Sequence, residues 1–186
     1  MTTSSTSPAI PPTSPRRSRS SATPTDVPSS HTSRSDVLLV PASVDELPDV
    51  AEVYLEARAA AEALGAFPPG VHSPHEVREW VRSWDLSTRE VWIALLDDQL
   101  VGFVNLTTTW LDGLYVAPSA QGAGIGSALL DLVKGLRPGG FGLWVFECNT
   151  PAREFYARHG LVEVARTDGR DNEERSPDIH LAWPGS

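Results

Sequence analysis

Residues 114–130 read Leu-Tyr-Val-Ala-Pro-Ser-Ala-Gln-Gly-Ala-Gly-Ile-Gly-Ser-Ala-Leu-Leu, and this segment restricts the possible folds more than any other part of the chain. A β-branched and aromatic run stops at Pro118, a turn with three glycines follows, and Ile125, Leu129 and Leu130 then recur at helical spacing. A strand that feeds a helix through such a turn brings several backbone N–H groups and the positive end of a helix dipole to one point. That point binds phosphate, and glycine matters there because a β-carbon would keep a diphosphate off the backbone. The alternative is a turn that only needs conformational freedom.

Three phosphate-binding patterns compete for these residues. A Walker loop ends in Gly-Lys-Ser/Thr, and this turn has no lysine. A dinucleotide fingerprint starting at Gly122 needs glycine or alanine at 127, where Ser127 stands, and one starting at Gly124 meets Leu129. What remains is Gln-x-x-Gly-x-Gly, carried by Gln121, Gly124 and Gly126.

The rest of the chain provides the context. Ser, Thr and Pro fill 24 of the first 35 positions, so residues 1–35 are expected to form a disordered tail and residues 36–186 a single folded domain. The tail carries four arginines and one aspartate, which leaves −12 on the remainder of a chain whose net charge is −9. Such an acidic domain repels a phosphate backbone, so no nucleic acid is expected as a partner. Arg16 and Arg17 are not followed by an apolar stretch, and no run of about 18 apolar residues exists, so neither an export signal nor a membrane partner is expected. Cys148 is the only cysteine, which rules out an intrachain disulfide and a cysteine zinc cage; no metal and a cytoplasmic location follow as expectations.

Within residues 36–186 the patterning predicts the order β α α β β β α β α β β. A strand at 37–40 precedes an amphipathic helix over 44–64 closed by Gly65. Ser73 and Glu76 then form a capping box with Pro74 in the first turn of a second helix. Strands 91–96 and 100–106 flank the turn Asp97-Asp98-Gln99, and strand 110–116 follows. After the glycine turn and its helix come strand 141–146, a helix over 150–159 closed by Gly160, and strands 161–167 and 178–183. Meander strands followed by a strand–helix–strand crossover imply an α/β fold with a mixed sheet and helices on its faces.

Residues 114–130, together with Asn149-Thr150-Pro151-Ala152-Arg153-Glu154-Phe155-Tyr156-Ala157-Arg158-His159-Gly160-Leu161, resemble the two cofactor segments of the GNAT superfamily of acyl-CoA-dependent N-acyltransferases. The resemblance extends over nearly all of residues 36–186. It implies a mostly antiparallel seven-stranded sheet with a central parallel, splayed strand pair, and transfer of acetyl from acetyl-CoA to a primary amine by direct attack in a ternary complex. It places the backbone of Tyr115 and Val116 against the pantetheine arm. The amides of Gln121, Gly122, Ala123, Gly124, Ile125, Gly126 and Ser127 fall on the pyrophosphate. Many members have arginine where Gln121 stands, so a side-chain charge on the phosphates is missing here. Asn149 resembles the asparagine that reaches the pantetheine; its other role is to cap the helix it precedes. Tyr156 resembles the tyrosine that protonates the leaving thiolate, where a core position is the competing reading.

A backbone N–H at Leu114 is expected to stabilise the developing oxyanion. Asp112, read as alternating with Leu114 and Val116, and Glu147 at the end of the neighbouring strand are the candidates for relaying the amine proton. The acceptor is expected to be an amine of a small molecule or a protein, and the chain a monomer or homodimer. The rival reading is a non-catalytic acyl-CoA sensor of the same fold.

Overall fold

The computed structural model describes residues 37–185. The Ser/Thr/Pro-rich tail expected over residues 1–35 lies outside the described residues.

The chain order is the predicted one: β1 (Leu38–Pro41), α1 (Leu47–Ala63), α2 (Pro74–Arg82), β2 (Glu90–Leu96), β3 (Gln99–Leu106), β4 (Leu111–Val116), α3 (Ile125–Leu136), β5 (Phe141–Phe146), α4 (Thr150–Arg158), β6 (Val162–Thr167) and β7 (Asp178–Trp183). The first turn expected for α1 is instead a 3-10 turn over Val44–Glu46, closed by a capping box in which Glu46 accepts from the Ser43 N–H at 2.6 Å. The Ser73–Glu76 box at the start of α2 forms as expected. Asp97 and Asp98 both adopt positive φ, 50° and 62°, which is what a two-residue hairpin turn between right-twisted strands requires.

The ladder is divided, with β1-β2-β3-β4 in one antiparallel sheet and β5-β7-β6 in another. The expected parallel pair, β4 and β5, meets at a single bridge, Trp110 to Gly142, where the Gly142 N–H donates to the Thr109 carbonyl at 2.9 Å. Beyond that bridge the strands splay apart. Hydrophobic packing crosses the split: Val104, Leu106, Leu129, Leu143, Tyr156 and Ile179 share one buried cluster with α3. A second cluster on the opposite face packs α1 and α2 against Ile93 and Phe103.

The alternation expected along β4 fails at Asp112. Leu106 pairs with Leu111 and Asn105 with Gly113, so Asp112 is the extra residue of a bulge. Leu111 and Leu114 therefore both pack into the α3-side cluster. Asp112 instead approaches Arg89, whose guanidinium lies over the Trp84 ring beside α2. A bulge re-aims a side chain in just this way.

Candidate active site at the strand splay

The splay opens a cavity of about 740 Å³ whose wall combines the glycine turn, α4, the inner face of α1 and the segment 172–178. In an extended strand, successive residues turn their backbone groups to opposite edges. The Ala117 N–H donates to the Val101 carbonyl at 2.8 Å, toward β3. Tyr115 points the same way, so Leu114 and Val116 present their N–H and C=O groups to the splay. Tyr115, expected to offer its backbone to the pantetheine arm, thus turns its backbone groups toward β3, whereas Val116 turns its own outward with Leu114. The Val116 carbonyl also accepts from the Gln121 side-chain amide at 3.3 Å, which folds that side chain back onto its own strand.

The turn itself is built from left-handed residues. Gly122 and Gly124 have φ of 80° and 84°, where an L side chain is strained. Gly124 is the N-cap of α3 and supplies no side-chain cap, in contrast to Ser73 on α2 and Asn149 on α4. The first N–H groups of α3 thus face the cavity without a side-chain acceptor, and the dipole adds partial positive charge there. Gln121, Gly122, Gly124, Ile125, Gly126 and Ser127 all line it, while Ala123 is exposed on the turn and does not.

Tyr156 lines the same cavity from α4 and is only 7% exposed. Its hydroxyl makes no hydrogen bond among the described residues, and burial pushes its pKa above the ordinary phenol value, so the proton stays on. Asn149 is buried at 9%, and its Oδ1 accepts from the Ala152 N–H at 3.1 Å. It caps α4, and its amide hydrogens carry no other partner among the described residues. Asn149→Asp should keep the cap and the thermal midpoint while weakening acetyl-CoA binding. Asn149→Ala should lose the binding and also about 1 kcal/mol of stability. Calorimetric titration and a melting curve on each variant separate the two roles.

The two carboxylates expected at the chemistry part company. Asp112 lines the cavity, and burial raises its pKa, with Arg89 at 3.9 Å opposing the rise. Glu147 is exposed, pairs with Arg166 and is not among the cavity residues. It sits past the end of β5, where Arg166 of β6 reaches it.

Arg58, Tyr54 and Glu62 of α1 were not anticipated here. Arg58 of α1 donates to Glu62 at 2.9 Å, to the Tyr54 hydroxyl at 3.2 Å and to Glu174 at 2.8 Å. Burial works against its charge, but Tyr54, Glu174 and Glu62 hold its pKa above the ordinary arginine value. Arg58 and Glu174 also line a second cavity of about 900 Å³ beside α2, so their ion pair forms a wall shared by the two. The 168–177 segment brings Glu174 there. Asn172 bonds the Ser176 backbone on both sides, at 2.8 and 3.1 Å, and a β-carbon at Gly169 would lie 2.2 Å from the Ser176 backbone. A lone arginine among Ala57, Ala59, Ala60 and Ala61 was the available signal for this cluster.

A sequence model of the Acetyltransferase (GNAT) family matches residues 57–161, more than half of the chain. The chain belongs to the GNAT family. The peptidyl-lysine N-acetyltransferase YjaB of Salmonella typhimurium is 34% identical over 110 residues, which span 59% of this chain and 74% of that relative. The peptidyl-lysine N-acetyltransferase YiaC of Escherichia coli K12 is 34% identical over 107 residues, 56% of this chain and 70% of the relative. Among solved structures, apo YjaB from Escherichia coli superimposes with a TM-score of 0.66 at 24% identity, covering 81% of this chain and 99% of that one. A PaiA N-acetyltransferase from Thermoplasma acidophilum in complex with coenzyme A gives 0.61 at 19%, covering 80% and 99%.

The GNAT chain is accordingly an acyltransferase with the α/β fold of its family. The family's donor, acetyl-CoA, suits what the cavity offers: backbone groups on the open edge of β4 for an extended amide chain, and an uncapped helix start for its phosphates. No group of three or more histidine, cysteine or acidic side chains suited to a metal occurs among the described residues. No helix among them is long and apolar enough to cross a membrane.

Proposed function

We propose that residues 36–186 form an N-acetyltransferase domain that moves acetyl from acetyl-CoA to a primary amine of a small molecule or protein in a ternary complex. One juxtaposition carries this reading: the outward backbone groups of Leu114 and Val116, the start of α3 without a side-chain cap, and a Tyr156 hydroxyl that has no hydrogen-bond partner among the described residues share a single cavity. Bound there, acetyl-CoA supplies the activated acyl group. The chain's residues then position and move protons. The amides from Gln121 to Ser127 hold the diphosphate, with Ala123 contributing backbone only. Val116 and the Asn149 amide align the pantetheine, and the Leu114 N–H meets the negative charge that grows on the carbonyl oxygen. Tyr156 gives its proton to the departing sulfur.

Asp112 is the acceptor of the amine proton in this scheme, directly or through water. Its raised pKa means that turnover should fall on acidification at a pH above the ordinary aspartate value. Glu147, tied to Arg166 outside the cavity, does not take part.

For the acceptor, the reading favours a cation. The second cavity is edged by Glu56, Glu62, Glu76, Glu173 and Glu174 against Arg58 and Arg78, a negative funnel toward the shared wall. The two bacterial relatives, both named peptidyl-lysine N-acetyltransferases, support an amine of this kind. We place the enzyme in the cytoplasm as a monomer or homodimer, in which β6, exposed along its whole length, offers an edge to a second copy.

The direct test is the thermal midpoint against rising acetyl-CoA, with NADH and ATP in parallel. Ligand at 100 times its dissociation constant stabilises by about 2.7 kcal/mol, a shift of roughly 5 to 10 °C at this size. A shift with acetyl-CoA alone, followed by thiol release with lysine-containing peptides or diamines, is the expected result. No shift with acetyl-CoA would remove the donor. A shift without turnover on any amine would leave the sensor reading.

A further inference from the structure

Ser127 stands in the first turn of α3 and lines the splay cavity, with its hydroxyl 3.0 Å from His159 Nε2. His159 closes α4, its ring against Phe155 at 4.4 Å, and its Nδ1 lies 2.8 Å from the Phe155 carbonyl oxygen. A carbonyl oxygen only accepts, so Nδ1 carries hydrogen whatever the charge on the ring. The direction of the bond to Ser127 then turns on one proton.

With a neutral ring, Nε2 is a lone pair. Ser127 must donate its single hydrogen to it, and the hydroxyl offers a phosphate only lone pairs. With a charged ring, Nε2–H donates to Ser127 Oγ instead, and the hydroxyl hydrogen is free to turn into the cavity. Of the nearby cations, Lys134 of α3 donates to the His159 backbone carbonyl at 2.7 Å, and Arg158 pairs with Glu154 at 4.0 Å. No carboxylate pairs with the His159 ring among the described residues. The anion that would favour the charged ring is therefore the ligand's own phosphate. Gln121 adds no cation to the turn and is folded onto Val116.

We propose that His159 is a positioning residue for the donor: it takes up a proton from solvent as a phosphate enters, reverses its bond to Ser127 and so makes the Ser127 hydroxyl a donor to that phosphate. The proposal rests on the acetyl-CoA reading above. Linkage sets the sign, since a ligand that prefers the protonated ring binds best at low pH and loses affinity as pH rises.

The test titrates dephospho-CoA into the full chain by calorimetry, at about pH 6 and about pH 8, and at about pH 7 in two buffers of different ionisation enthalpy. Dephospho-CoA lacks the phosphomonoester whose second ionisation, at about pH 6, would impose a slope of its own. The expected results are uptake of a fraction of a proton and a loss of affinity of roughly fivefold or more across the range. Ser127→Ala and His159→Gln should both still bind, with a flat profile; in the glutamine variant a permanent amide donor replaces the titrating one. A flat wild-type profile without proton uptake, or a slope that survives in both variants, overturns the proposal. If a variant fails to fold by circular dichroism, the wild-type proton uptake decides alone. Absence of CoA binding at either pH would remove the donor reading itself, whereas binding without the slope removes only the role of His159.

Discussion

Tyr156→Phe is expected to lower kcat by about 10²- to 10⁴-fold and to leave the dissociation constant of acetyl-CoA unchanged. The ring of Tyr156 belongs to the core beside Phe155, at 5.2 Å between centroids, and phenylalanine preserves that packing. Only the hydroxyl is lost. Because it makes no hydrogen bond among the described residues, its removal orphans no partner and the melting temperature should not move. A general acid deleted in this way affects the step in which the sulfur departs, so the loss should appear in kcat and equally in kcat/KM for the amine. Stopped-time thiol release and a binding titration on the same preparation give both numbers. An unchanged kcat would mean that the thiolate leaves without this phenol, and the proton source would have to be sought in solvent.

Arg58→Ala should markedly destabilise the domain. The Arg58 and Glu174 side chains are 12% and 15% exposed, and Glu62 accepts from the same guanidinium. Removing the cation leaves the largely buried Glu174 carboxylate without its partner and also unpairs Glu62, which is 31% exposed, a cost of about 3 kcal/mol and a fall in melting temperature of roughly 6 to 12 °C. Arg58→Lys should recover only part of this, since one ammonium cannot span three acceptors arranged around a planar fork. Adding Glu174→Gln to Arg58→Ala should return some of the lost stability, and the double-mutant cycle reports the coupling directly. A single-variant loss below about 0.5 kcal/mol would place the pair among solvent-screened surface bridges and remove it as a wall between the cavities.

What was legible in the chain was local. Gln121, Gly124 and Gly126 lie within six positions, and strand, turn and helix follow from neighbours that any reader of the segment sees together. The Ser73–Glu76 box is likewise complete within four residues. Asp112 shows where such reasoning stops. Alternation placed it beside Leu114, but whether a strand keeps its period depends on the register of its partner, and the bulge opposite Asn105 and Leu106 is a property of two strands. Glu147 was placed by its position after a strand, and the arginine that captures it lies 19 residues further on. The Arg58–Glu174 contact joins residues 116 apart through a loop whose shape Asn172 and Gly169 set, so nothing near either residue announces it.

The joint between β4 and β5 has a consequence for how this enzyme tolerates change. Hydrogen bonds, which fix strand spacing to tenths of an ångström, hold the pair among the described residues only at the Trp110–Gly142 bridge, through Thr109. Beyond that point the separation is kept by the bulk of Leu129, Leu143, Ile179 and their neighbours, forces without direction that act through volume. The width of the cleft is thus a shim adjusted by methylene groups in the core. Substitutions several side chains away from the cavity can retune it.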